Sequence, residues 1–203
     1  MFGPVFLAAS ILVSAPSLDV ANEMFATISN QVDAQQTYVM ATVNLWIDPT
    51  GTIVECQKGR AVGTREIAAG FCSMLLGRQI DAPRDEHDRP TYAYVPYTMS
   101  GFAASRMPQS DAVIDALLAL PNVGDADERL QVSHPSVAQG TRFYVNLAIA
   151  ADGSVTACER AKSLPRRLVK PACAAARART FAVRTASGQA VSYVRKVRLV
   201  PQS

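Results

Sequence analysis

The sequence predicts an α+β protein made of two tandem small domains, each a three-stranded antiparallel sheet with one helix packed on a face, in the order β-β-α-β. Three observations lead to this prediction. The stretch VNLWIDPTGTIVEC at residues 43–56 returns as VNLAIAADGSVTAC at residues 145–158 in a chain of 203 residues. A segment with helical periodicity and then an alternating segment follow each copy. Each copy also ends on one of only four cysteines. Self-similarity at a fixed spacing is typical of a repeated structural unit.

Each copy begins with a predicted β-hairpin. Residues 39–47 alternate apolar with polar side chains, the period of a strand with one buried face, and residues 143–149 do the same. The letters DPTG and ADG that follow are turn chemistry, because Pro presets φ and Gly accepts a positive φ. Residues 52–56 and 154–158 then return as the second strands.

A helix and a last strand complete each predicted unit. In the first copy the helix runs from Arg65 to about Gly77, with apolar side chains on one face. In the second copy Pro165 and Pro171 mark the helix start, because Pro fits a first turn. The last strands are TYAYVPYTM and residues 189–200. Pro96 in the former lacks an N–H group, which favours a position at a sheet edge.

These elements set the predicted boundaries along the chain. Residues 1–21 resemble a signal peptide, because a short apolar run precedes small residues; a buried N-terminal segment is the alternative. The first domain then covers residues 37–101 and the second covers residues 140–203. Residues 102–139 form a helical connector between them.

The charge of the chain is divided unevenly. Residues 140–203 carry twelve Lys or Arg and two acidic residues, a net charge of +10, whereas the remainder carries eight basic and fifteen acidic residues, a net charge of −7. Such asymmetry fits nucleic acid, an anionic surface or acidic partners, and a solvated basic face is the alternative. Export disfavours nucleic acid, so no nucleic-acid partner is expected.

The repeat predicts how the cysteines pair. Cys56 and Cys158 end the second strands, whereas Cys72 and Cys173 lie on the helices, so equivalent pairs are Cys56 with Cys72 and Cys158 with Cys173. Each bond would fasten a helix to its sheet and contribute about 3 kcal/mol. Buried free thiols and a zinc site are the alternatives, but structural zinc usually uses closely spaced cysteine pairs. Disulfides persist outside the cytosol, in agreement with export.

The sequence contains no recognisable catalytic constellation, and we predict no enzyme activity, no cofactor and no metal. Its two histidines, His87 and His134, lie outside the motifs of metalloproteases and hydrolases. His87 lies among acidic residues, which fits a metal site or an acid–base pair less well than a solvated loop. Trp46 and the tyrosines of TYAYVPYTM fit either an aromatic recognition surface or cross-strand core pairs, and we favour the latter.

These residues resemble the C-terminal domain of TonB-type energy transducers. In the second copy the matching letters are VNLAIAADGSVTAC, LVKPACAAARARTF and GQAVSYVRKVRLV, and in the first they are VNLWIDPTGTIVEC, IAAGFCSMLLGRQI and TYAYVPYTM. The resemblance covers about 130 residues and is more specific in the second copy, since Ile80 replaces an aromatic residue in the first. It includes the strand-to-helix cysteine pairs.

The resemblance implies a periplasmic binding module of a Gram-negative bacterium that accepts an extended peptide, for example from an outer-membrane receptor, as an added strand. An unpaired last strand would serve as the binding edge, with the candidate residues Tyr193, Arg195, Lys196, Val197, Arg198 and Leu199. The chain lacks the membrane anchor and Pro-rich spacer of a transducer. The alternative function is binding of anionic envelope polymers or lipid headgroups through the basic second domain.

Overall fold

Strands dominate the part of the chain that the structure describes. The computed structural model describes residues 38–62, 65–102, 129–135, 143–161 and 164–201. Their elements are β1 (Tyr38–Ile47), β2 (Ile53–Val62), α1 (Arg65–Leu75), β3 (Tyr92–Phe102), β4 (Arg129–Val132), β5 (Tyr144–Ile149), β6 (Val155–Arg160), α2 (Arg166–Arg177), β7 (Arg184–Ala186), β8 (Gln189–Val191) and β9 (Tyr193–Pro201). The predicted signal peptide lies outside these residues.

Seven of these strands join one mixed sheet in the order β2-β1-β3-β9-β5-β6, with β4 paired to β9. The hairpins β1–β2 and β5–β6 are antiparallel, whereas β3 and β4 run parallel to β9. Strands β7 and β8 form a small separate hairpin. The predicted α+β class is therefore confirmed, but the described strands form one continuous sheet where the sequence predicts two three-stranded antiparallel ones. The division into two domains stays a prediction.

The two helices lie on opposite faces of this sheet. Side chains alternate between faces along a strand, so Leu45 of β1 joins the core under α1 while its neighbour Trp46 joins the core under α2. The same alternation places Val194 of β9 with α1 and Tyr193 with α2. Each core therefore draws side chains from both halves of the chain, and this shared burial joins the halves.

An aspartate organises the turn of each hairpin. Asp48 Oδ1 accepts hydrogen bonds from the N–H groups of Thr50 (2.9 Å) and Thr52 (3.0 Å), and Asp152 Oδ1 accepts one from the N–H of Ser154 (2.9 Å). Burial favours the neutral form of Asp48, but hydrogen bonds from Thr50 and Thr52 outweigh it and hold its pKa below the ordinary value. The hydrogen bonds of Ser154 likewise lower the pKa of Asp152.

A glycine closes each of these turns against the segment that follows the helix. Gly51 and Gly153 have φ values of 90° and 86°, a region that favours glycine. A Cβ at either position would collide with a carbonyl oxygen, that of Ile80 or that of Phe181. The N–H groups of Ile80 and Phe181 donate to the carbonyl oxygens of Gly51 and Gly153, both at 2.9 Å. The turns thus hold the chain that leaves each helix.

The structure confirms the predicted disulfides. Cys56 bonds to Cys72 and Cys158 to Cys173, with Cα–Cα distances of 5.4 and 5.6 Å, and the described residues include no free cysteine. Each bond links the second strand of a hairpin to a helix packed on the sheet. The free-thiol and zinc alternatives are therefore wrong.

The second half differs from the prediction in three elements. Pro171 lies inside α2 and not in its first turn, where only Pro165 marks the start as the N-cap. The predicted last strand at residues 189–200 is divided into β8 and β9, because β8 turns back to pair with β7. Residues 129–132, within the predicted helical connector, form β4. The rest of that connector lies outside the described residues, apart from the short stretch after β4.

Candidate functional site

Strand β9 lies inside the sheet and not at its edge. Strand β5 pairs with it from Tyr193 to Arg198 on one side, and β3 and then β4 pair with it on the other. The prediction of an unpaired last strand is therefore wrong. Strand β3 pairs with the beginning of β9 and β4 pairs with its end, both on the side that the prediction left open. Tyr193, Arg195, Val197 and Leu199 have buried side chains, whereas those of Lys196 and Arg198 are half-buried.

Among the described residues, the two ends of the sheet are strands that pair on one side alone. Strands β2 and β6 are the outermost strands of the path through the described residues. The beginning of β2 is covered, because Ile53 N–H donates to the Arg78 carbonyl and Gly77 N–H donates to the Ile53 carbonyl, both at 2.9 Å. Beyond this point β2 has an exposed surface that includes Val54, at 48% relative exposure.

Strand β3 separates from β9 at Pro96. The two strands pair from Tyr92 to Tyr94, whereas β3 pairs with β1 along its whole length. Pro96 lacks the N–H that continued pairing with β9 would use, and this accounts for the separation. The predicted position of Pro96 at a sheet edge thus holds only for the part of β3 beyond Tyr94, where β3 no longer pairs with β9.

Aromatic rings join the two halves where β3 meets β9. Trp46 stacks on Tyr92 at 5.2 Å between ring centroids and meets Tyr193 edge to face at 5.6 Å. Trp46 and Tyr94 are 7% and 3% exposed. These rings therefore belong to the core, which is the interpretation that the sequence analysis favoured over a recognition surface. Tyr97 is half-buried, and burial raises its pKa.

Two arginine side chains lie on this aromatic cluster. From the sequence, Arg195 was named only as part of a peptide-binding edge, and Arg184 was not singled out. The Arg184 guanidinium lies 4.0 Å from the centre of the Tyr94 ring, and that of Arg195 lies 5.1 Å from it and 5.6 Å from the Phe181 ring. Arg195 is fully buried. The sequence of β9 indicated this burial, because the alternation of side chains along the strand places Arg195 on the same face as the apolar Val197.

A cavity of about 180 Å³ opens between the α2-side face of the first hairpin and β7. Its floor is formed by β1 and β3, its rim by the exposed side chains of β2, and its wall by the segment that leads into β7. The lining residues are Asn44, Trp46, Glu55, Gln57, Tyr94, Val183, Arg184 and Thr185. We name it the junction cavity. The Tyr94 hydroxyl lies 3.5 Å from Gln57 Oε1, a long hydrogen bond across it.

The exposed face of α2 is basic. Arg166, Arg167, Lys170 and Arg177 are exposed, and the first turn of the helix contains no acidic residue. Cations in a first turn face the positive end of the helix dipole, which is unfavourable. The exposed face of α2 thus carries four of the basic side chains of the second half.

The two histidines lie in different parts of the fold. His87 is exposed in a loop that Asp85 organises by accepting hydrogen bonds from the His87 N–H (2.8 Å) and from Arg89 Nε (2.8 Å). His134 follows β4. Within the described ranges no group of three or more His, Cys, Asp or Glu side chains is arranged to hold a metal ion.

The fold and these features define a disulfide-bonded α+β protein with a mixed sheet, and its disulfides favour a compartment outside the reducing cytosol. None of the described helices is both long and apolar enough to cross a membrane. Comparisons with models of protein families, with curated proteins and with solved structures find no match to this chain.

Proposed function

We propose that the chain is an exported, non-enzymatic binding module built from two tandem β-β-α-β units that resemble TonB C-terminal domains. Equivalent pairings support the tandem arrangement. Strands β1 and β2 pair Asn44 with Gln57, and strands β5 and β6 pair Asn146 with Glu159 at the same positions of the second hairpin. Both units also fasten the second strand to the helix by a disulfide.

The module recognises an extended peptide by strand addition at the outer edge of β2. The observation that carries this proposal is a strand of 10 residues that pairs along one side with β1. Within the described ranges its other side is covered by backbone hydrogen bonds at its start alone. An added strand gains affinity from backbone hydrogen bonds and selectivity from side-chain contacts. The exposed Lys58 on this edge disfavours pairing between two copies of the chain.

The backbone direction identifies which groups of β2 are available. Residues on one face of a strand point their N–H and C=O groups to the same side. Ile53 points outward, toward Gly77 and Arg78. A bulge between Ile53 and Glu55 places Cys56 on the same face as Ile53, in the core under α1. Lys58, two residues further, therefore points its N–H outward as well. A proline at this position removes a binding donor without removing a bond to β1.

The test uses matched proline variants. Peptides longer than a typical strand of about 5 to 6 residues are selected from a random library against the full chain. Lys58→Pro is then compared with Arg160→Pro, because Arg160 pairs with Val145 as Lys58 pairs with Val43. We expect Lys58→Pro to weaken binding at least about tenfold, about 1.4 kcal/mol, and Arg160→Pro to have little effect.

Hydrogen exchange locates the bound peptide independently. Binding should protect the amides of Cys56 and Lys58, because the direction of the strand is expected to point their N–H groups away from β1. The proposal is wrong if selected peptides protect neither residue, or if both proline variants bind them like the original chain. Equal losses in the two variants would assign binding to both edges and reject the preference for β2.

The resemblance further suggests the periplasm of a Gram-negative bacterium as the compartment and an outer-membrane receptor or another envelope protein as the partner. Such a link to TonB-dependent transport is testable by measuring receptor peptides in the same assay. A receptor peptide that binds the original chain but not Lys58→Pro would support it.

The basic face of α2 favours a second candidate function, the binding of anionic envelope polymers or lipid headgroups. Its exposed cations lie on a single helix with no acid in the first turn. Binding driven by these charges weakens as salt is added, whereas strand addition depends little on salt. Lys170→Glu should weaken binding to anionic vesicles or polymers and leave peptide binding unchanged.

A further inference from the structure

The junction cavity is lined by a side-chain amide that is available to a ligand. Asn44 is 9% exposed and lines the cavity, and its side chain makes no hydrogen bond within the described residues. Its polar atoms are not among the described side-chain atoms that are fully buried without a hydrogen-bond partner. The amide therefore reaches the open volume of the cavity, which makes it a candidate ligand contact.

The cavity has room for a small organic group. Its volume of about 180 Å³ is several times the roughly 30 Å³ that one water molecule occupies in the liquid. Trp46 and Tyr94 supply apolar surface from the floor, while the amides of Asn44 and Gln57 supply polar groups. The accessible lining is mostly polar, so the cavity suits a small polar group better than an apolar one.

The charges at the cavity indicate the kind of ligand. Arg184 lines its wall and lies on the Tyr94 ring, and buried Arg195 lies near the same ring, so the inner part is positive. Glu55 lies on exposed β2 at the rim. The two cations attract an anion inward and outweigh the single negative charge of Glu55 at the rim.

We propose that the junction cavity binds a carboxylate group. One carboxylate oxygen accepts from the Asn44 side-chain amide and the other from the Arg184 guanidinium, while the attached carbon chain contacts Trp46. Guanidinium groups bind carboxylates well because their planar donors match the two oxygens. The carboxylate belongs either to an acidic side chain or to the end of a peptide, and both present the same chemistry.

The proposal is independent of strand addition, because its probes have no extended backbone. Trp46 is the one tryptophan of the chain and lines the cavity, so its fluorescence reports occupancy. The full chain is titrated with propionate and with the neutral analogue propionamide at matched ionic strength. We expect saturable binding of propionate with a dissociation constant of about 1 mM and at least about tenfold weaker binding of propionamide.

Two further probes distinguish the sources of the carboxylate. N-acetylglutamate amide carries only a side-chain carboxylate, and N-acetylglycine carries only a terminal one. Stronger binding of the former assigns the cavity to acidic side chains, and stronger binding of the latter assigns it to chain ends. Failure of both, together with failure of propionate up to about 100 mM, overturns the proposal.

Matched variants test the assigned contacts. Asn44→Asp places a like charge against the ligand and should weaken propionate binding at least about tenfold. Asn146→Asp changes the equivalent position of the second hairpin and should leave binding unchanged. Arg184→Gln provides a second variant at the cavity wall, with the same expected loss, if Asn44→Asp does not fold. Unchanged binding in both cavity variants, or equal binding of propionate and propionamide, overturns the proposal.

Discussion

Removing either disulfide should destabilise the whole sheet by a similar amount. The two bonds close loops with sequence separations of 16 and 15 residues. The chain-entropy relation gives about 3 kcal/mol for each loop, since its logarithm changes little between these lengths. The perturbations are the paired replacements Cys56→Ala with Cys72→Ala, and Cys158→Ala with Cys173→Ala.

The continuous sheet determines the shape of the unfolding curve. Because β3 pairs with β9 and both cores contain side chains from both halves, loss of one bond should lower the stability of a single cooperative transition. Urea unfolding followed by circular dichroism and by Trp46 fluorescence measures this directly. Coincident curves from the two probes indicate one transition, and each variant should lose about 3 kcal/mol.

Two results would refute this reasoning. A loss below about 1 kcal/mol in either variant would mean that the bond does not restrict the unfolded chain as the relation assumes. Two separate transitions, only one of them shifted by each variant, would mean that the halves unfold independently and that pairing of β3 with β9 adds little stability. Chemical reduction of the original chain serves as the control, because it should reproduce the sum of both losses.

Three further changes test individual contacts by urea unfolding. Gly51→Ala should lower the stability by more than about 2 kcal/mol, because the new Cβ meets the Ile80 carbonyl at a positive φ. The control Gly70→Ala, at an open position of α1, should raise the stability by about 0.5 to 1 kcal/mol. Equal effects of the two variants would contradict this. The Asp48→Asn variant should be less stable than the original chain above the ordinary carboxyl pKa of 3.8. This difference in stability should vanish as pH falls through the lowered pKa of Asp48 in the folded chain. A difference that grows on acidification would contradict that sign. Tyr193→Phe removes the 2.8 Å hydrogen bond to the Ala182 carbonyl and should cost about 1 kcal/mol.

Local chemistry predicted the hairpins and the disulfides. The turn letters DPTG and ADG require only residues within each turn, and the cysteine pairing follows from equivalent positions in two copies. The pairing of β3 with β9 could not be read in the same way, because Tyr92 and Tyr193 are about a hundred residues apart in the sequence. Nothing in the composition of either strand specifies a distant parallel partner.

The candidate site was missed for a related reason. Arg195 and Arg184 read as surface cations, since charged residues are rarely buried. Arg195 is buried and Arg184 half-buried at the Tyr94 ring, which reaches them only after the two halves share one sheet. Asn44 likewise gives no signal in an alternating strand, where a polar residue is expected on the solvent face. It becomes buried because the segment leading into β7 covers that face.

The arrangement of the helices gives equivalent positions different environments. Because α1 and α2 lie on opposite faces, Trp46 faces the α2 core, whereas Ala148, its equivalent in the second hairpin, faces the α1 core. At these positions the pair Trp46 and Tyr94 supplies rings to one core, whereas the pair Ala148 and Val194 supplies smaller side chains to the other. Divergence of the two copies at these positions follows from the joining of their sheets.

The same arrangement divides the basic residues of the second half into two groups. Arg184 and Arg195 lie on the Tyr94 ring, whereas Arg166, Arg167, Lys170 and Arg177 are exposed on α2. A net charge of +10 therefore overstates the surface available to an anionic polymer. Replacing the exposed lysine and arginines of α2 should remove salt-dependent binding and leave the carboxylate affinity of the junction cavity intact, because the two groups of cations occupy different places in the fold.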